Sequence, residues 1–326
     1  MKYRKLGHTG LDVSAVACGS WQLGGKRWRG LSDKDTVSFF HTCLDRGINL
    51  YDVSTAYGQY EDEAACFHSR SQELLGRAFE DKREEVIINL KLGHLDEYTH
   101  RRNFTPSYLI RSFKQSLKRL RTDYADICLI HAPSIADIEA QQSIRVLQTL
   151  QELGLVGAIG YSLENEPEHL RIALKQDIDI IELQYNLISQ ECGEAIEEAR
   201  KHGIGIIASG VYKRGLLTGR FRHLDDLPLQ DEYWQYNRNL CEGKLVSLLE
   251  TTRNLLDQYG SPLDLRKAAL GFVLDHPGVS TAVMGHRAVK ELDENIELAN
   301  QCLNESSAKA ESSPIPEVEE AELETA

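Results

Sequence analysis

Residues Glu85–His131 read EVIINLKLGHLDEYTHRRNFTPSYLIRSFKQSLKRLRTDYADICLIH, and this stretch holds one full unit of the chain's architecture. EVIINLK and ADICLIH are short β-rich apolar runs. Between them, Leu109, Phe113, Leu117 and Leu120 recur at steps of four, four and three, which keeps them on one face of a helix over Pro106–Leu120. Thr105 before Pro106 reads as an N-cap followed by a first-turn proline.

Outward from this unit the rhythm repeats. Further strand candidates are VSAVACG at Val13, INLYD at Ile48, VGAIGYS at Val156, IDIIELQ at Ile178, GIGIIAS at Gly203 and VSTAVMG at Val279, eight in all. Eight strands, each trailed by a helix, predict an α/β fold, a closed (β/α)8 TIM barrel. An open dinucleotide-binding sheet would announce itself by G-x-G-x-x-G after its first strand, and GSWQLGG lacks that spacing. KYRKL, a turn at His8-Thr9-Gly10 and a second short strand predict an N-terminal β-hairpin closing the barrel's bottom. Gln59 to Arg70 and Arg220 to Glu242 are long for barrel loops and are expected at the C-terminal rim, the second carrying Phe221, Tyr233, Trp234 and Tyr236. The barrel is expected to span residues 1–303, and residues 304–326, with seven Glu and one Lys, to form an acidic, disordered tail.

Composition narrows the partners. The 326 residues are 41% hydrophobic and 27% charged, with a formal net charge of −13. That balance argues against nucleic acid and anionic lipid as partners. No apolar run approaches membrane-spanning length and the first residues have no apolar signal core, so a cytoplasmic protein is expected. The seven cysteines include no C-x-x-C pair, and Cys18 and Cys128 read as small buried hydrophobes. Cys66, His68, His94 and His100 lack zinc-ligand spacing, so no metal is expected.

In a parallel barrel, chemistry sits where the strands end. The second strand ends at Asp52 with Tyr57 five positions later, the third at Lys91 and the fourth at His131. A phenol of pKa ~10 is a poor acid at neutral pH, and a neighbouring ammonium lowers that value. A buried ammonium in turn needs a carboxylate. Lys91 and Asp52 would supply this pair, leaving Tyr57 as proton donor to a carbonyl oxygen that His131 orients.

The chain resembles the aldo-keto reductase family from Met1 to Gln301. The resemblance is carried by GINLYDVSTAYG with SQELLGRAF, VIINLKLG, SLKRLRTDYADICLIHAP, VGAIGYS, IIELQYNLI, GIGIIASGVYKRGLLTGR and TAVMGHRAVKELDENI. It is most similar to the bacterial subgroup that includes sugar-type dehydrogenases and homologues of potassium-channel β subunits. The resemblance implies a (β/α)8 barrel and reversible, metal-free, nicotinamide-dependent reduction of aldehydes and ketones. It places the family's catalytic tetrad on Asp52, Tyr57, Lys91 and His131. It implies nicotinamide contacts at Ser162 and Gln184, a pyrophosphate loop at Arg214, Gly215 and Leu216, and an adenosine block at Gly285, Arg287, Glu294 and Asn295. Ser20 and Trp21, after the first strand, join the cofactor set.

Three departures from the family pattern stand out. Leu163 replaces an amide-bearing residue after Ser162, Ser209 stands where a stacking ring is usual, and the loop after Tyr57 is lengthened. Tyr212 or Trp21 would then have to supply the ring. Arg287 favours NADP(H) over NAD(H) through the 2′-phosphate, while Glu291 would repel that phosphate and accept from ribose hydroxyls instead. The expected substrate is a small carbonyl or sugar-like molecule. Two alternatives stay open: a nicotinamide-binding regulatory subunit, and an enzyme using bound nicotinamide for an internal redox or elimination step on a modified sugar or natural-product intermediate. The sequence leaves the oligomeric state open.

Overall fold

In the computed structural model, which describes residues 1–61, 67–95 and 101–312, the first two strands, β1 (Tyr3–Lys5) and β2 (Asp12–Ser14), pair antiparallel as Tyr3↔Ser14. This is the expected hairpin. Its turn is tight: Gly7 has φ +54°, and a Cβ there would lie 2.3 Å from the Gly205 nitrogen. Only glycine permits both the left-handed conformation and the close approach. Leu6 and Val13 thereby enter an apolar plug with Ala17, Leu50, Ile127, Ile180 and Ile207, which fills the barrel's lower end.

The chain continues through β3 (Val16–Gly19), α1 (Asp33–Asp45), β4 (Leu50–Ser54), β5 (Gln59–Glu61), β6 (Phe67–Ser69), α2 (Arg70–Phe79), β7 (Ile87–Leu92), α3 (Pro106–Leu120) and β8 (Ala125–His131). It then runs through α4 (Ile135–Glu139), α5 (Gln142–Glu152), β9 (Val156–Leu163), α6 (Pro167–Ala173), β10 (Ile180–Gln184), α7 (Gly193–Lys201) and β11 (Gly205–Ser209). The last elements are α8 (Glu232–Tyr259), α9 (Pro262–Leu274), β12 (Val279–Gly285) and α10 (Val289–Ser312). Eight parallel strands close in the order β3-β4-β7-β8-β9-β10-β11-β12, with β12 pairing back to β3. Each of the eight sequence candidates contributes one barrel strand, although several begin two or three residues later than the apolar run.

Four local expectations need adjustment. Thr105 holds the N-cap position of α3, but its side chain makes no capping bond; its hydroxyl donates to Asn103 Oδ1 at 2.7 Å, which satisfies it before the helix begins. The stretch after Tyr57 is a two-stranded hairpin, β5–β6, and Cys66 lies outside the described residues, as does His100. Tyr233, Trp234 and Tyr236 sit on the first turns of α8 instead of a loop, because Tyr233 and Trp234 bury against Trp28, Leu216 and Leu227. The last helix runs past Leu303 to Ser312, held by a 2.6 Å ion pair between Lys267 and Glu305 and by Ser306 bonding Asp275. Residues 313–326 of the acidic stretch lie outside the described residues.

Among the described residues no helix is long and apolar enough to cross a membrane. Cys18 and Cys128 are buried. No cluster of three or more His, Cys, Asp or Glu is placed to hold a metal among the described residues.

Candidate active site

Side chains alternate along a strand, so residues two apart share a face. Above the apolar plug the inward positions turn polar: Asp52 and Ser54 on β4, Asn89 and Lys91 on β7, His131 on β8, Ser162 on β9, and Glu182 and Gln184 on β10. Lys91 is 2% exposed and Asp52 3%. Lys91 Nζ donates to Asp52 Oδ2 at 3.0 Å and to Glu182 Oε1 at 2.7 Å. Asn89 Nδ2 donates to the same two carboxylates, at 2.9 Å to Asp52 Oδ1 and 2.7 Å to Glu182 Oε2. Ser162 Oγ adds a 3.3 Å bond to Glu182 Oε1.

Tyr57 lies over this cluster, with Lys91 Nζ 5.3 Å from its ring centre. The turn that presents it is fixed from behind. Ser69 Oγ donates to the Tyr57 carbonyl at 2.9 Å, and Gly58, at φ +62°, packs so closely on Gly24 that a Cβ would lie 2.2 Å from the Gly24 oxygen. Trp21 stacks on the Tyr57 ring at 6.1 Å between centroids, and the His131 imidazole stands edge-on to it at 6.2 Å. Ser54 Oγ lies 3.0 Å from His131 Nδ1. With the serine donating, the ring proton resides on Nε2.

The electrostatics depart from the expectation of a lowered phenol. Burial pushes the Tyr57 phenol above its usual value, and the Lys91 charge only partly opposes this, because Asp52 and Glu182 act in the same direction as burial. The ammonium is shared between two carboxylates, so less of its field reaches the phenol. Asp52 is pushed up to about 7, first by burial and then by Glu182, against the pull of Lys91. Burial alone would lower Lys91, but Asp52, Glu182 and Tyr57 hold it well above its usual range. His131 is driven well below its usual value by burial, then by Lys91, His94 and Arg102, so its imidazole is neutral.

A cavity of about 520 Å³ opens above this floor, within the range of small-ligand and cofactor sites. Asp52, Tyr57, Lys91 and His131 line it together with Trp21, Ser162, Leu163, Gln184 and Ser209. Tyr212, Arg214, Gly215, Gly285, Arg287, Glu291 and Asn295 line its far side. Ser20, Leu216 and Glu294 do not line it. Ser20 is on the opposite face of the chain from Gly19 and bonds the Asp52 carbonyl and Ser71 Oγ, each at 2.6 Å. Leu216 is an apolar core residue packed with Trp28 and Trp234, and Glu294 pairs with Arg266 at 2.7 Å.

Ser209 lines the cavity without a ring of its own, and Tyr212 lines it too, its hydroxyl donating to Asn295 Oδ1 at 3.1 Å. Arg287 is committed to the buried Asp231 at 2.9 Å, while its backbone N–H donates to Glu291 Oε2 at 3.1 Å. Glu291 does not project freely into solvent, since it pairs with Arg220 at 2.8 Å. Asp231 also accepts from the Arg29 N–H at 2.7 Å, so one carboxylate joins the loop after β3, the start of α8 and the end of β12.

The residues fit a nicotinamide dinucleotide. A polar floor and aromatic wall at one end meet a glycine-rich, arginine-bearing end at the other. There Arg214 and Gly215 line the cavity in a turn with left-handed φ values of +58° and +98°.

Sequence reading missed Glu182, Asn89, Ser54 and Asp231. The first three carried a usable signal: each lies two residues from an identified inward residue, Gln184, Lys91 and Asp52 respectively. Asp231 had none, because its role depends on three segments meeting.

Comparison with known proteins agrees with the geometry. The Aldo/keto reductase family model matches residues 15–312. An aldo-keto reductase of Bacillus subtilis is 28% identical over 95% of this chain and 92% of its own length. The NADH-specific methylglyoxal reductase of Escherichia coli is 26% identical over 94% and 96%. The solved glycerol dehydrogenase of Gluconobacter oxydans superposes with a TM-score of 0.68 at 26% identity, covering 98% of this chain and 99% of that one. With a family match running over nearly every barrel element, the chain belongs to the aldo/keto reductase family.

Proposed function

We propose that the protein reversibly reduces the aldehyde or ketone group of a small polar or sugar-like compound, using a nicotinamide dinucleotide with NADP(H) favoured over NAD(H). The observation that carries this is the Lys91 ammonium beneath the Tyr57 ring, with the neutral His131 edge-on to it, at the floor of one cavity. When bound, a nicotinamide dinucleotide would supply or accept the hydride. Tyr57 gives the proton to the carbonyl oxygen in reduction and takes it back in oxidation. His131 donates from Nε2 to the same oxygen and orients it, as a neutral imidazole can. Lys91 holds positive charge next to the phenol as its proton leaves, and Asp52 keeps the ammonium in place. Trp21, Trp28 and Tyr233 pack as a connected set, with centroids 5.2 Å, 4.7 Å and 5.6 Å apart, and wall the floor from water.

Arg214 and Gly215 would hold the pyrophosphate and Arg287 the 2′-phosphate. The preference for the phosphorylated cofactor rests on Arg287 and Arg220, which line the same end of the cavity, Arg287 paired with Asp231 and Arg220 with Glu291. The activities that name the relatives, methylglyoxal reduction and glycerol dehydrogenation, support a small oxygenated substrate.

The test is single-turnover oxidation of NADPH and NADH by a panel of small aldehydes, ketones and sugars. Turnover of several simple carbonyls supports the reading. Tight cofactor binding with no turnover of any would instead make the protein a nicotinamide-binding regulatory subunit. Turnover of one complex substrate with no net cofactor consumption would point to an internal redox or elimination step.

A further inference from the structure

Glu182 is the one charged member of the floor cluster that the proposed proton transfer does not use. It is 2% exposed and lines the cavity. Its three partners, Lys91 Nζ, Asn89 Nδ2 and Ser162 Oγ, all donate to it, the partner set of an ionised carboxylate. Two carboxylates therefore share one ammonium. Tyr57 above them is a neutral phenol and His131 a neutral imidazole, so the floor carries one net negative charge when both carboxylates are ionised. A buried charge acts strongly on whatever enters beside it.

We propose, resting on the nicotinamide reading above, that Glu182 makes this cavity select the oxidised, positively charged nicotinamide over the reduced, neutral one. The two forms share their phosphates and ribose, so the rest of the cavity meets both alike. They differ by one positive charge on the ring, and only the floor can read that difference. A neutral amide at position 182 would leave Asp52 and Lys91 balanced and the floor without net charge. Glu182 is thus a selectivity residue for the cofactor's oxidation state.

The floor's charge also depends on pH. Asp52 sits at about 7, raised first by burial and then by Glu182. Three titratable groups near it keep their charge around neutrality: Lys91 is held well above that range, His131 well below it, and the Tyr57 phenol above its usual value. The floor is therefore neutral at lower pH and negative at higher pH.

The experiment measures dissociation constants of NADP⁺ and NADPH, and of NAD⁺ and NADH, by calorimetry or fluorescence, for wild type and Glu182→Gln at pH 8. The substitution is isosteric, and Asn89 can turn to offer its now unpartnered Oδ1 to the new amide. The expected result is that the preference for the oxidised form falls by about 10-fold or more in the variant, as one charge acting over a few ångströms predicts. An unchanged ratio overturns the proposal. Should the variant not fold, wild type decides: the oxidised form must bind more tightly as pH rises from 6 to 8 while the reduced form does not, and a ratio flat with pH overturns it. Failure of all four dinucleotides to bind wild type overturns the nicotinamide reading itself, and this inference with it.

Discussion

Lys91 Nζ lies 2.7 Å from Glu182 Oε1, closer than it comes to either oxygen of Asp52, at 2.9 Å and 3.0 Å. The ammonium at the centre of the site is therefore the shared counter-ion of two buried carboxylates from opposite sides of the barrel.

Removing that ammonium leaves both carboxylates without a charge partner. Lys91→Met is expected to abolish turnover and to raise further the pH at which Tyr57 ionises. It should destabilise the fold at pH 8 by about 3–5 kcal/mol, the cost of breaking a buried pair. Denaturant unfolding at pH 8 and pH 5.5 checks this. The loss should be smaller at the lower pH, where a proton replaces the missing charge, and an equal loss at both would refute the pairing.

Stability of the wild type should fall as pH rises between about 4 and about 7. The sign follows from Asp52, whose value in the folded protein is about 7 against ~3.9 in an unfolded chain. Between those values the folded state binds a proton that the unfolded state does not, so raising the pH favours unfolding. Glu182→Gln removes the neighbouring carboxylate and should flatten this dependence. Melting temperatures across pH 5–8 test it, and parallel curves for the two proteins would show that Glu182 does not act on Asp52.

Arg287→Ala should weaken NADPH binding by about 10- to 100-fold, in line with loss of a charge-assisted hydrogen bond worth about 1.5–3 kcal/mol, and leave NADH nearly unchanged. The structure adds a second expectation. Arg287 pairs with Asp231, which also accepts from the Arg29 N–H, so the variant should loosen the junction between the β3 loop and α8. Hydrogen exchange at the Arg29 amide would report it. Equal affinities for both cofactors before and after the change would show that this residue does not read the phosphate.

Much of this was legible in the sequence, and the reason is geometric. Strands ending in Asp52, Lys91 and His131 must present those side chains at one rim once eight strands close. The hairpin was legible from His8-Thr9-Gly10. Glu182 is less visible because the strand IDIIELQ announces its site residue at its end, Gln184, and only the two-residue alternation back along the strand makes Glu182 a neighbour of Lys91. Ser20, Leu216 and Glu294 were placed by motif, but the direction of a side chain just beyond a strand end or within a turn is not fixed by position in a motif. The first turns of α8 read as a loop because Tyr233 and Trp234 owe their order to Trp28, some two hundred residues away.

The most direct test of the central claim is Tyr57→Phe, which removes the phenolic hydroxyl above Lys91 and keeps the ring against Trp21. Stopped-flow single-turnover rates with a carbonyl substrate that the wild type reduces, measured beside cofactor dissociation constants, give the answer. The account predicts a rate lowered by about 10²-fold or more, the range of general-acid catalysis, with cofactor affinity nearly unchanged. A variant that transfers hydride at close to the wild-type rate would contradict it.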